Sequence, residues 1–162
     1  MRATACVLLA AGFSLTAAAA GPGDGAAPLT PAEARGKLIY TSGRSASGEV
    51  IQFRLLSAGP RLLPANGIVC ASCHGPQGKG GREGFVLMAD ITQGTLARRV
   101  AASAAAKERA AYTDALLARA ITEGIDASGR QLDGMMPRWA MQEPDLRDLL
   151  QYLKRLGRDD RR

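Results

Sequence analysis

The stretch that decides the fold is Cys70-Ala71-Ser72-Cys73-His74. Its two thiols are separated by two residues, and an imidazole follows at once. On one turn of helix these side chains project close together, because residues three and four apart are neighbours on a helix surface. The 162-residue chain has three Cys and one His, so this pentapeptide holds two of the thiols and the only imidazole.

The composition excludes several kinds of site. One His excludes every site that needs two imidazoles, including bis-His haem, zinc fingers and HExxH metal centres. Three Cys are too few for a disulfide scaffold. The formal net charge is +6, but the basic residues are scattered along the chain, which argues against a nucleic-acid partner. The length allows one domain or two small ones.

The C-x-x-C-H spacing is the signature of c-type haem attachment. The thiols can add to the two haem vinyl groups, and His74 can reach the iron from the same face. A thioredoxin-like redox pair is disfavoured because no βαβ pattern surrounds the motif. A zinc site is disfavoured because no thiol or imidazole remains for a fourth ligand. The sequence therefore predicts one covalent haem c, bound by Cys70 and Cys73.

Residues 1–20 have the pattern of a signal peptide, with basic Arg2, a short apolar stretch and the small residues that end at Ala20. We expect cleavage near Ala20, export to the periplasm and no stable membrane insertion, because the apolar stretch is too short to span a bilayer. The composition predicts that residues 21–31 are a flexible lead-in and that residues 158–162 are a charged tail.

Helical patterns occur at Thr30–Tyr40, Tyr112–Thr122 and Pro144–Leu156, each with cap or turn residues at its ends. The Ala-rich segment Leu96–Ala111 also favours helix, as a surface helix or a mobile excursion. Periodicity does not decide whether Glu49–Leu56 is a strand or a turn of helix.

The sixth iron ligand cannot be an imidazole from this chain, so methionine is the leading candidate, ahead of lysine, an amino terminus or no ligand. Met88 closely follows the haem motif in the sequence, and we expect its side chain to belong to the core. Met136 precedes Pro137, which biases it away from helix, and Met135 is its close rival. The methionines after the leader are Met88, Met135, Met136 and Met141.

The haem motif followed by Gly75, the segment Met136-Pro137-Arg138-Trp139 and a last helix with Tyr152-Leu153 resemble a class I, mitochondrial-type mono-haem cytochrome c. Bacterial periplasmic members with an M-P-R-aromatic segment are especially similar. The likeness covers about Ala32 to Leu156, and Gly36 and Tyr40 match the first helix, which in the family crosses the last.

The resemblance implies an all-α fold over 32–157, a helical cradle around one covalent haem. It implies His74 and Met136 as axial ligands and electron transfer, not catalysis, as the activity. Arg138 and Trp139 are candidate contacts of the haem propionates, because a guanidinium and an indole N–H are suitable donors.

Two departures from the family stand out. Residues 41–69 form an inserted loop segment before the haem motif, which can shape a partner surface or cover a haem edge. No proline lies between Pro76 and Pro137 to supply a carbonyl to His74, so we expect a backbone carbonyl near Leu87 or Met88 to replace it.

The sequence thus predicts a periplasmic electron carrier between redox proteins, such as a dehydrogenase, an oxidase or a membrane complex. It could also be the haem subunit of an oxidoreductase complex. The alternative is a gas-binding sensor or peroxidase-like protein with an open sixth iron position.

Overall fold

The structure is a computed structural model, and it describes residues 27–101 and 108–158. The predicted leader 1–20 lies outside the described residues, as do most of the lead-in 21–31 and most of the tail 158–162.

The first helix, α1, spans Pro31–Ser42 and begins where the sequence predicts. Thr30 caps it, with Oγ1 accepting from the Glu33 amide at 3.2 Å while Glu33 Oε2 accepts from the Thr30 amide at 2.7 Å. This reciprocal pair satisfies two amides that the first helical turn leaves free. Gly43 ends the helix in the left-handed conformation, where its amide donates to the Ile39 carbonyl.

The last helix, α5, spans Glu143–Leu153 and crosses α1 at Gly36. A Cβ at Gly36 would lie 2.0 Å from the Asp148 carbonyl oxygen, so only a glycine lets the two backbones approach this closely. One turn further, the rings of Tyr40 and Tyr152 pack with centroids 5.4 Å apart. Arg35 forms a two-bond ion pair with the Asp148 carboxylate at the edge of the crossing.

Shorter elements connect these two helices. The helices are α2 (Cys70–His74), α3 (Gln93–Leu96) and α4 (Asp114–Thr122), with a 3-10 turn at Leu56–Ala58. The strands are β1 (Gln52–Arg54), β2 (Leu63–Pro64), β3 (Gly81–Glu83), β4 (Val86–Met88) and β5 (Arg138–Ala140).

The expectation of an all-α fold is wrong. About 35% of the described residues are helical and 16% are in strands, so the fold is mixed α/β. One antiparallel sheet has the order β2-β1-β5, and a separate hairpin joins β3 to β4. The sheet arises because residues 41–69 are not a plain loop: they contribute β1 and β2, and β1 pairs with the strand that follows Pro137.

The Ala-rich segment after Leu96 is also not helical where the structure describes it. The helix α3 ends at Leu96, and Val100 and Arg109 then exchange backbone hydrogen bonds as an antiparallel bridge. Residues 102–107 lie outside the described part of the chain. Intrinsic helix propensity is a weak preference that tertiary contacts override.

The core combines both helical and strand residues, and its members share near-complete burial: Ile39, Tyr40, Ile51, Phe53, Ala65, Ile121, Trp139, Leu149, Leu150, Tyr152, Leu153 and Leu156. Among the described residues, none of the helices has both the length and the apolar character that crossing a bilayer requires.

We expect Gly36→Ala to lower the free energy of unfolding by about 2–4 kcal/mol, because the added methyl group must push α5 away from α1. Denaturant unfolding measures the change. Gly81→Ala is the matched control: its Cβ would meet nothing within 4 Å, so we expect a change within about 0.5 kcal/mol. Equal effects of the two substitutions would contradict the close crossing.

Candidate haem site

The haem motif forms α2, a single helical turn whose ends are fixed by hydrogen bonds. The Val69 amide donates to Ser72 Oγ at 3.3 Å, and the Gly75 amide donates to the Ala71 carbonyl at 3.0 Å. Tyr40 Oη, fully buried on α1, donates to the Gly75 carbonyl at 2.6 Å. The motif is therefore attached to the helix that makes the main crossing of the fold.

His74 is 8% exposed, and its ring is oriented by one backbone bond. Nδ1 donates to the Ala89 carbonyl at 2.8 Å, which leaves Nε2 as the nitrogen available to a metal. Burial lowers the pKa of His74, which favours the neutral imidazole that metals bind. The acceptor is one residue beyond Met88, next to the position that the sequence suggests.

The β3–β4 hairpin brings that carbonyl to His74. The Gly80 amide donates to the His74 carbonyl at 2.9 Å, immediately before β3 begins. A Cβ at Gly80 would lie 2.1 Å from the Met88 carbonyl oxygen, and its φ of 67° is a conformation that favours glycine. Glycine at position 80 therefore allows the backbone before β3 to lie against the backbone at the end of β4, where the Ala89 carbonyl binds His74.

A cavity of about 670 Å³ opens beside α2, within the usual size of small-molecule sites. Cys70, Cys73 and His74 line it, and so do Met136 and Trp139 from the other end of the chain. Its surface is mostly apolar; the aliphatic residues that line it include Val69, Val86, Leu87, Ile91, Leu96, Leu117, Ile121, Leu149 and Leu153.

The two cysteines differ in exposure. Cys73 is exposed, whereas Cys70 is half-buried, and burial raises the pKa of the Cys70 thiol to about 12. Both thiols are free, so neither is consumed by a disulfide.

The methionines also differ. Met136 is half-buried, packs against the core and lines the cavity. Met135 lines the cavity too, but 62% of it is exposed. Met88, at the end of β4, is a half-buried lining residue. Met141 packs against the core and does not line the cavity.

Arg138 and Trp139 lie on β5 and have different surroundings. Trp139 is buried and lines the cavity. Arg138 is also buried, but its guanidinium donates to the carbonyls of Leu132 at 3.0 Å, of Asp133 at 2.9 Å and of Met136. Arg138 does not line the cavity and instead fixes the loop that carries Met136. A propionate contact of either residue stays a prediction.

Sequence reasoning missed Arg109 and Tyr112, which also line the cavity. Arg109 is the one Lys or Arg among the described residues that do so, and its guanidinium lies 5.1 Å from the centre of the Tyr112 ring. Nothing in the Ala-rich segment around Arg109 distinguishes it from the neighbouring arginines, because the antiparallel bridge to Val100 that places it is not visible in the sequence.

These residues fit a haem. A large apolar cavity lined by two free thiols, a buried imidazole with one free nitrogen and a thioether has the donor set of a covalently attached, six-coordinate haem. The described ranges contain no cluster of three or more His, Cys, Asp or Glu side chains that could hold a separate metal ion.

Comparison with protein families agrees with this geometry. The family model for cytochrome c matches residues 56–157, which is more than half of the chain. The chain belongs to the cytochrome c family. It is of the class I type, and members of the family bind covalent haem c and typically carry electrons. Comparisons with curated proteins and with solved structures found no match.

We expect Arg138→Gln in this cytochrome c to reduce the free energy of unfolding by about 2–4 kcal/mol, because three partly buried carbonyls of the 132–136 loop lose their donors. Arg147→Gln is the control: Arg147 forms an exposed ion pair with Glu143, and its loss should change stability by less than about 0.5 kcal/mol. Thermal or denaturant unfolding monitored by circular dichroism compares the two variants. A stable Arg138→Gln protein would refute the role of Arg138 in holding the loop.

Proposed function

We propose that this cytochrome c is an exported, periplasmic mono-haem electron carrier. Cys70 and Cys73 form the thioether bonds, and His74 and Met136 are the axial ligands. The observation that carries the proposal is that all four side chains line one apolar cavity, although more than sixty residues separate the motif from Met136. When bound, the haem supplies reversible one-electron exchange at its iron.

On the histidine side, the chain provides a ligand that needs no rearrangement. Ala89 fixes the Nδ1–H tautomer, and burial keeps the ring neutral, so Nε2 is ready to donate its lone pair. The attachment of α2 to Tyr40 limits movement of the motif. A rigid site lowers the structural change that accompanies electron transfer.

On the other side, burial favours Met136 over Met135. The side chain of Met136 is sheltered against the core, whereas most of Met135 is exposed to water. Arg138 also binds the Met136 carbonyl itself, which restricts the backbone at that residue. A thioether ligand raises the reduction potential relative to a second imidazole, as suits a carrier of high potential.

The haem propionates need compensation of their negative charge at a mostly apolar cavity. Arg109 is suited to this task because it brings a positive charge to the cavity lining, and Trp139 can add an indole donor. Arg138 is less suited, because it does not line the cavity.

The proposed partners are other redox proteins, such as a periplasmic dehydrogenase, an oxidase or a membrane complex. The chain would act as a free carrier or as the haem subunit of such an assembly. Without the leader, which contains Arg2 and no acidic residue, its net charge is +5, which favours partners with an acidic docking face. The signal-peptide pattern of residues 1–20 supports the proposed export.

We expect the oxidised wild-type protein, produced with haem-maturation machinery, to show the sulfur-to-iron charge-transfer band of Met ligation. Met136→Ala should abolish that band, and Met135→Ala is the control that should retain it. Visible absorption spectra and CO titration of the reduced proteins measure both effects. A wild-type protein that is high-spin when oxidised and binds CO readily would instead support a gas-binding or peroxidase-like function.

We expect a chain without residues 1–20 to remain in the cytoplasm and to lack covalent haem, whereas the full chain should appear in the periplasmic fraction with haem attached. Peroxidase staining of denaturing gels after cell fractionation detects the covalent haem. Full-length Cys70→Ala/Cys73→Ala is the control, because it should be exported without retaining haem on the gel. Haem attachment to the truncated chain would contradict the proposed export.

A further inference from the structure

Apart from Ile68 and Val69, which line the cavity, residues 41–69 have no place in the electron-carrier function described so far, yet they are firmly connected to the fold. The Ile51 amide donates to the Gly43 carbonyl at 2.7 Å, and the Ala65 amide donates to the Ile51 carbonyl at 2.8 Å. Gly43 is the residue that ends α1. The segment therefore begins at the end of α1. After β2 it is hydrogen-bonded to Ile51, which is itself hydrogen-bonded to Gly43.

Between these anchors, β1 pairs along its length with β5. Gln52 lies opposite Ala140, Phe53 opposite Trp139, and Arg54 opposite Arg138. The other edge of β1 is paired with β2, so β1 is the central strand of the sheet. Met136 lies two residues before β5 begins, and Pro137 separates it from the strand.

Within this pairing, Phe53 makes the main side-chain contact. Its ring packs against Trp139 with centroids 5.2 Å apart and planes at 55°, a tilted arrangement that aromatic pairs favour. Phe53 is 1% exposed and Trp139 is 4% exposed. Trp139 lines the cavity, whereas Phe53 does not, so Phe53 contacts a residue of the cavity lining without lining the cavity itself.

We infer that the inserted segment is a positioning element for the sixth iron ligand, with Phe53 as its central residue. Phe53 and the β1–β5 pairing hold Trp139 and therefore the register of the chain that leads from Met136 into β5. The inference rests on the proposed assignment of Met136 as axial ligand. It differs from the two roles expected from the sequence, a partner surface or a cover for a haem edge.

The test uses the full holoprotein and asks how readily an external ligand displaces Met136. Imidazole binds the oxidised iron only when the methionine leaves, so its dissociation constant reports how well the methionine is held. We expect Phe53→Ala to strengthen imidazole binding about tenfold and to weaken the sulfur-to-iron band, because the Trp139 ring loses its support.

Ile39→Ala is the matched control, since Ile39 is equally buried in the core but lies on α1 and does not line the cavity. We expect it to lower stability while changing imidazole binding less than about twofold. Phe53→Leu preserves much of the volume without the ring. It should strengthen imidazole binding about threefold and serves as the deciding variant if Phe53→Ala does not fold.

The outcomes separate the two proposals. If the wild-type protein lacks the sulfur-to-iron band, Met136 is not the ligand, and both the ligand assignment and this inference fail. If the wild-type band is present but the Phe53 variants bind imidazole no more tightly than Ile39→Ala, the positioning role fails and the proposed carrier function stands.

Discussion

The close approach of α1 and α5 at Gly36 is the contact on which the rest of this structure depends. Without a Cβ at Gly36, the backbone of α1 lies directly against the Asp148 carbonyl, and this fixes the direction in which α1 leaves the crossing. Two further connections start from the same helix. Tyr40 binds the carbonyl after the haem motif, and the carbonyl of Gly43, which ends α1, accepts from the Ile51 amide of the inserted segment. One helix therefore locates both ends of the candidate haem cavity.

The proposed haem-binding residues were the easiest to recognise in the sequence. Cys70, Cys73 and His74 are adjacent, and their required spacing is local, so no tertiary information is needed to recognise them. The start of the first helix at Thr30 was equally visible, because a side chain that accepts from an amide three residues later is also a local feature.

The sheet could not be predicted for the opposite reason. Strands of two or three residues are too short to show alternation, and the pairing of Phe53 with Trp139 joins positions far apart in the chain. For the same reason the sequence did not indicate Arg109 as a cavity residue. A bridge to Val100 places it there, inside a segment whose composition favours helix. Composition indicates a local conformational preference, whereas these contacts depend on the tertiary arrangement that the crossing of α1 and α5 imposes.

The two sides of the cavity meet different physical demands. On the histidine side the proposed ligand, His74, is in α2 next to the cysteines. Both the covalent attachment of the cysteines and the hydrogen bond to Ala89 would therefore hold it in place. On the methionine side the proposed ligand, Met136, lies in a loop without helix or strand, and a neutral thioether is a weak donor with several rotatable bonds. Such a ligand stays in place only if its backbone is fixed. Arg138 fixes the loop before Met136, and β1 fixes the strand after it, which gives residues 41–69 a physical purpose that their sequence alone does not reveal.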